Sequence, residues 1–373
     1  MRVLLAGTLG GQGGIQSHLR WLAKALGEEG IETLVLSLGS DQSPPVDEHL
    51  FKKLWNQNVQ LQCCVSYKNN RSHKRLGGLF RLKEIVNFID EFSPDIYLAV
   101  GTGWNLFIPV LMSGSKATRI FHEVMSGVPN GWHDSRWCVK FFFDEVIGQS
   151  ASVSQNFCRE FRWQKEIHTL PAFPEPLEIT ATLPKVTQKI IPQGTAKGAL
   201  FSRLVPHKQA FWLVQQWQYL KKYLSELHIH GSGEEEELIQ NYVNEQDIGT
   251  QVKCFGSYPD GQDYVNLLSS YDITLLPTIG EEGAPLVLLE SMACGVPFLS
   301  YRVGGIADYG TNNPDVFIVN PCPKEFCRGL NQFTYSLANN RIDQKRLQQF
   351  YLKRYSYSSL KHQWIIFLEN LVA

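Results

Sequence analysis

The sequence predicts an α/β protein of two doubly wound, parallel-sheet domains facing each other across a cleft. Three observations carry this. The chain has 373 residues, more than one hydrophobic core usually organises, so two domains are expected. Short apolar runs alternate with amphipathic segments, and they do so twice over. Between the two series lies a stretch with Pro171, Pro174, Pro176, Pro184 and Pro192 and little helical periodicity, as expected of a linker or hinge.

In the first series Val3–Ala6, Thr33–Leu38, Val59–Val65, Ile96–Val100, Arg119–His122 and Glu145–Gly148 read as strands. Ile15, Leu19, Leu22, Ala23 and Leu26 are spaced as one face of a helix. In the second series Ala199–Arg203, Leu227–His230, Val252–Phe255, Ile273–Leu276 and Pro297–Ser300 read as strands. Strands alternating with helices imply parallel β-α-β units covered on both faces. In such sheets ligands bind at the carboxyl ends of the strands. The predicted domains are 1–180 and 181–354, with an amphipathic, aromatic final segment over 355–373.

Composition narrows the classes of function. Hydrophobic residues make up 43% and charged residues 19%, which argues against disorder. Net charge is -1, and residues 1–180 carry 18 basic and 18 acidic side chains, so bulk charge gives no reason to expect nucleic acid. The eight cysteines are dispersed without a CxxC pair or zinc-ligand spacing, as in a reducing compartment. The N-terminal apolar run is too short for a signal peptide. The window from Ile96 to Met112 contains Gly101, Gly103, Asn105 and Pro109 and reads as strand, turn and helix rather than a membrane span. A cytoplasmic protein is expected, peripheral at most on the inner face of a membrane.

Two loops look suited to phosphate. Gly10-Gly11-Gln12-Gly13-Gly14 follows the first strand and opens into a helix; glycines let backbone approach a ligand, and free amides of a helix start attract anions. The spacing is neither GxGxxG nor a phosphate loop of an ATPase, and a tight turn alone also explains it. The stronger signal is Glu281-Glu282-Gly283-Ala284-Pro285-Leu286-Val287-Leu288-Leu289-Glu290, continuing Ser-Met-Ala-Cys-Gly-Val-Pro. Pro285 fits the first turn of a helix. Glu282 then lies in the loop before it and Glu290 upon it. Amides of Gly283, Ala284, Leu286 and Val287 would meet a diphosphate. A carboxylate deep in an apolar helix, as Glu290 is, suits a ribose diol, because an unpaired buried carboxylate is costly.

Two glutamates separated by seven residues in this setting resemble the signature of glycosyltransferase family 4, retaining enzymes of the GT-B fold with two Rossmann-like domains. The resemblance extends over the chain. Phe201-Ser202-Arg203-Leu204-Val205-Pro206-His207-Lys208 is similar to the family's Gly-Arg-Leu-x-x-x-Lys segment. Leu227 to Gly233 resembles a strand ending in Gly-x-Gly, and Val303-Gly304-Gly305-Ile306 the family's Gly-Gly turn. Tyr355 to Val372 is similar to a terminal helix that completes the first domain.

The resemblance implies a glycosyltransferase moving a hexose-type sugar from a nucleotide-diphosphate donor, UDP-sugar before GDP-sugar, to a saccharide or lipid-linked acceptor. Its first domain would take the acceptor and its second the donor. Arg203 and Lys208 would hold the donor diphosphate, Glu282 would sit at the donor sugar, and Glu290 at the ribose. Gly13 and Gly14 correspond to the family's usual glycine pair, and His122 to a first-domain histidine that approaches the donor sugar, where a near-neutral pKa could serve a sugar hydroxyl; a packed or turn histidine is an equal alternative. No cofactor and no metal are expected, since no Asp-x-Asp occurs and two cations can stabilise the departing diphosphate. Ser202, His207, Gln209 and Ser232 stand where the family more often has Gly, Glu, Gly and Asp.

Lys68, Arg71, Lys74, Arg75, Arg81 and Lys83 give six positive charges in sixteen residues without an acid. They could contact an anionic membrane or a polyprenyl-phosphate-linked acceptor; a solvated basic loop is the plainer explanation. Trp132, Trp137, Phe141, Phe142 and Phe143 could supply an aromatic wall. Competing functions are a sugar-nucleotide epimerase or phosphorylase on the same scaffold, a Rossmann oxidoreductase, for which the glycine spacing fails, and a non-catalytic sugar-nucleotide binding partner of another transferase.

Overall fold

An uninterrupted apolar run leaves a strand no polar face, so it must be covered on both sides. Val3 to Ala6 and Ile96 to Ala99 are fully buried, and so are Ala199 to Phe201 and Ile273. They form the centres of two parallel sheets in the computed structural model, which describes residues 1–11, 13–38, 46, 48–64, 74–280 and 282–372.

The chain divides into two units, Met1–Phe173 together with the chain from Tyr357 onward, and Pro174–Ser356. The divisions fall at 173/174 and 356/357, where the sequence reading placed 180/181 and 354/355.

In the first unit the strands are β1 (Arg2–Gly7), β2 (Glu32–Ser37), β3 (Val59–Cys63), β4 (Ile96–Val100), β5 (Thr118–Glu123), β6 (Glu145–Gly148) and β7 (His168–Thr169). Their order is β3-β2-β1-β4-β5-β6-β7, so the order reverses between β1 and β4. The Gly14–Glu28 helix buries His18, Leu19, Trp21, Leu22, Ala23, Ala25 and Leu26. Beside it, in one core with Val3, Leu5 and Leu19, lies the Tyr357–Val372 helix through Leu360, Trp364 and Leu368. The Trp364 Nε1–H donates to the Pro171 carbonyl at 2.9 Å, and the Tyr357 hydroxyl to Glu28 Oε2 at 2.9 Å. Burying each such apolar side chain contributes about 1.5–3 kcal/mol.

In the second unit the strands are β8 (Ala196–Phe201), β9 (Leu224–His230), β10 (Val252–Cys254), β11 (Ile273–Leu276), β12 (Phe298–Tyr301) and β13 (Phe317–Val319). Their order is β10-β9-β8-β11-β12-β13, with the reversal between β8 and β11. A crevice opens at such a reversal, because the loops leaving the two central strands turn to opposite sides of the sheet. The strand expected over Ala199–Arg203 ends at Phe201, which leaves Arg203 on the loop.

Ile96 to Met112 forms β4, a turn and the Trp104–Met112 helix. Gly101 and Gly103 take φ of 103° and 135° in that turn, where a side chain would be strained. Among the described residues no helix is long and apolar enough to cross a membrane.

Candidate active site

The second unit gathers its polar residues at the β8/β11 reversal. After β8, the loop carries Arg203 and then the Pro206–Lys208 turn with Lys208. Its base is fastened to the loop after β9: the Ser202 N–H donates to the His230 carbonyl at 3.1 Å and the Leu204 N–H to the Ser232 carbonyl at 2.9 Å. Gly231 and Gly233 permit this approach, since a Cβ at either would collide with the Ser202 or Leu204 carbonyl. The Gly-x-Gly of the sequence is a packing requirement for the cation loop.

The loop after β11 is sutured to the same turn. The Ile279 N–H donates to the His207 carbonyl at 2.8 Å. The buried Thr278 hydroxyl faces both the His207 carbonyl at 3.2 Å and Glu282 Oε2 at 3.0 Å. Lys208 Nζ forms an ion pair with the same Glu282 oxygen. From the other side, the loop after β12 holds the Glu282 backbone. The Gly305 N–H donates to the Gly283 carbonyl at 2.6 Å. Gly304, at φ 48°, lies so close to the Glu282 carbonyl that a Cβ has no room. Glu282 is thereby fixed at backbone and carboxylate together. Arg203 is exposed on its loop; its carbonyl accepts the Ser202 hydroxyl at 3.0 Å and the Val205 N–H at 3.1 Å, while its guanidinium has no hydrogen-bond or ion-pair partner among the described residues. The His207 ring is held below the usual histidine range, by burial first and then by the Lys208 charge, with Glu282 opposing.

The next helix is Leu286–Ala293, with Pro285 at its N-cap rather than in its first turn. Leu286 and Val287 therefore open the helix, and their N–H groups have no intrahelical acceptor. Gly283 and Ala284 lie in the preceding loop, Gly283 buried. Glu290, one turn further on, accepts the Tyr264 hydroxyl on Oε2 at 2.7 Å. Burial pushes its carboxyl up to about 7, against the Tyr264 hydrogen bond, which lowers it. Tyr264 is stacked on Tyr258 at 5.1 Å between ring centroids.

In the first unit Gly13 caps the Gly14–Glu28 helix, and both glycines are exposed. His122 takes the packed alternative. It is 0% exposed in the interior of its unit, 5.1 Å from the Trp364 ring. Its Nδ1 lies 3.0 Å from His18 Nε2, while His18 Nδ1 accepts the Phe173 N–H at 3.1 Å. That amide places the His18 proton on Nε2, so His18 donates and His122 accepts at Nδ1. The ring is not near-neutral in pKa: burial pushes it down to about 3, and the Leu170 backbone opposes this only in part.

Of the basic cluster, Lys68 and Arg71 lie outside the described residues, as do the side chains of Lys74 and Arg75. Lys83 is exposed and Arg81 half-buried. The aromatic segment splits: Phe143 enters the core, Trp137 and Phe142 are half-buried, and Trp132 and Phe141 stand in solvent, 87% and 72% exposed. An apolar surface missed by the sequence reading lies on the Trp104–Met112 helix. Leu106, Phe107 and Val110 face the core, yet Trp104, Ile108 and Met112 are exposed, and their i, i+4, i+8 spacing puts them on one stripe.

Sequence reasoning also missed Thr278, Tyr258, Tyr264 and His18. Thr278 stands four residues before Glu282 and was within reach of inspection. Tyr264 meets Glu290 across 26 positions, a contact that no local pattern encodes. Among the described residues, no three His, Cys, Asp or Glu side chains are grouped to hold a metal ion.

Residues 188–348 match the family described as Glycosyl transferases group 1. An uncharacterised glycosyltransferase of Haemophilus influenzae is 26% identical over 301 residues, covering 79% of this chain and 78% of its own length. A GDP-mannose-dependent monoacylated alpha-(1-6)-phosphatidylinositol monomannoside mannosyltransferase of Corynebacterium glutamicum is 24% identical over 308 residues, covering 79% and 77%. Among solved structures, HepE of Anabaena in complex with UDP superposes with a TM-score of 0.73 at 16% identity, over 99% of this chain and 100% of that one. Sucrose-phosphate synthase of Thermosynechococcus elongatus superposes with a TM-score of 0.76 at 14% identity, over 99% and 98%. The fold is GT-B, and the chain is a transferase enzyme of the glycosyltransferase kind.

Proposed function

We propose that this enzyme is a retaining, metal-independent glycosyltransferase of family 4 that takes a hexose-type sugar from a nucleotide-diphosphate donor, UDP-sugar before GDP-sugar. The observation that carries the reading is the cluster of Lys208, Thr278 and Glu282 at the β8/β11 reversal, with Arg203 on the same loop as Lys208, beside the start of the Leu286–Ala293 helix. As the glycosidic bond breaks, negative charge accumulates on the departing diphosphate. Arg203, Lys208 and the free amides of Leu286 and Val287 meet that charge, which lowers the barrier. Glu282, fixed in place, accepts donor-sugar hydroxyls, and Glu290 accepts those of the ribose. His122, buried and neutral, enters as a group behind the end of β5, not as an acid or base. Retention rests on the resemblance of the Glu282–Glu290 segment, and UDP as donor is supported by the ligand of HepE.

A panel of UDP-, GDP- and ADP-sugars in thermal shift tests the donor: a ligand at 100 times its dissociation constant stabilises by about 2.7 kcal/mol. NMR of the product's anomeric configuration tests retention. Activity with and without EDTA tests metal independence; a loss on chelation that magnesium or manganese restores would sink it.

The acceptor is a saccharide or a lipid-linked one, and the exposed stripe of Trp104, Ile108 and Met112 favours the lipid-linked form. On this reading the first unit rests peripherally on the cytoplasmic face of an anionic membrane. Vesicle co-sedimentation at low salt is expected to capture the protein, and a Trp104→Ser, Met112→Ser variant to escape. Equal recovery of both in the supernatant refutes membrane docking.

A further inference from the structure

A half-buried carboxylate has about four lone-pair sites on its two oxygens, and each wants a donor. On Glu290 the Tyr264 hydroxyl fills one, at 2.7 Å from Oε2, and the Glu175 backbone N–H fills another. Among the described residues two sites remain, and a ribose diol brings two O–H donors.

We propose that Tyr264 is a positioning residue for nucleotide recognition: its hydroxyl orients the Glu290 carboxylate so that the remaining lone pairs meet the ribose hydroxyls. The inference rests on the ribose reading of Glu290 given above. Tyr264 is suited to the task because it is itself held. It is 5% exposed, stacked on Tyr258 with an interplanar angle of 23°, and set edge-on to Phe201 at 5.9 Å. Its ring is locked by packing, so the direction of its O–H bond is inherited by the carboxylate. The other titratable groups around Glu290 are the acids Glu175 and Asp260, which raise its pKa, and Tyr258, Tyr309, Tyr351 and Cys294, which burial keeps neutral. Tyr264 is thus a donor that favours the ionised carboxylate, against burial and two acids.

The test is calorimetric titration of the full chain with UDP and with 2′,3′-dideoxy-UDP between pH 6 and 8.5, for the native protein, Tyr264→Phe and Glu290→Gln. Phe keeps the ring stack, and unchanged urea midpoints and near-ultraviolet circular dichroism verify folding. In Tyr264→Phe the affinity for UDP is expected to fall about five- to tenfold at pH 7 and that for the dideoxy analogue less than twofold. The pH at which UDP affinity reaches half its maximum moves upward, because a donor to the ionised form is gone. On the Glu290→Gln background, adding Tyr264→Phe costs nothing further. Unchanged UDP affinity and pH midpoint in a folded Tyr264→Phe protein overturn the proposal, as do equal losses for UDP and its dideoxy analogue, which signify packing alone. If Glu290→Gln itself binds UDP normally, the ribose reading fails with it, and that result is read from the single variant.

Discussion

Lys208 and Glu282 neutralise each other across the cation loop and the loop after β11. On the proposed assignment a donor diphosphate approaching Lys208 would compete with a carboxylate already in place, which Thr278 holds. Lys208→Ala is therefore expected to lower turnover by about a hundredfold or more, with folding intact by circular dichroism; full turnover on saturating donor would exclude the assigned role. Glu290 gives a second expectation, with a definite sign. Its carboxyl is raised from 4.5 to about 7, so it opposes folding when ionised. Its contribution is most favourable below pH 4.5, is lost as pH rises to 7, and is level above. Glu290→Gln removes this dependence. Relative to the native protein the variant should gain up to about 1.4 kcal/mol per pH unit across that window, measured by urea unfolding at fixed pH. A constant difference between the two proteins from pH 4.5 to 7 would show that Glu290 is not desolvated.

At the scale of elements, the site is made by loops that press backbone on backbone, and glycine pairs decide where that is possible. Gly304→Ala would drive a methyl group into the Glu282 carbonyl at a position with φ 48°. It is expected to cost about 1–3 kcal/mol and to weaken donor binding by displacing Glu282. Gly30→Ala is the control, at φ 75° with nothing within 4 Å of an added Cβ; it should carry backbone strain alone and leave donor affinity unchanged. Equal donor affinity in both variants would separate the glycine pair from the site.

Gly231, Gly233, Gly304 and Gly305 were legible in the sequence as motifs, and so were the apolar runs of β1, β4, β8 and β11, because both signals are local. The short edge strands β7 and β13 were not, since two or three residues carry too little pattern. The state of His122 was not legible either. A histidine at a strand end reads the same whether solvent or Trp364 covers it, and Trp364 comes from the far end of the chain. Tyr264 escaped for the same reason, its partner lying on another helix.

At the scale of the molecule, the two units differ in how the chain composes them. The second is one continuous segment, Pro174–Ser356, whereas the first is assembled from two pieces. Expressed alone, residues 174–356 should unfold cooperatively in urea and retain UDP-induced thermal stabilisation. Residues 1–173 should lack a cooperative transition until a peptide spanning 357–372 is added. A cooperative transition of 1–173 without that peptide would show the terminal helix to be dispensable.

The discontinuity also fixes an order of events during synthesis. Val3, Leu5 and Leu19 leave the ribosome before the whole of the second unit, and their partners Leu360, Trp364 and Leu368 leave after it. The nascent amino-terminal half must wait with one apolar face uncovered while the later half, already entire, closes on itself. Translation thus reverses the usual sequence in which the amino-terminal domain finishes first, and it makes the waiting face the natural place for a chaperone to hold the growing chain.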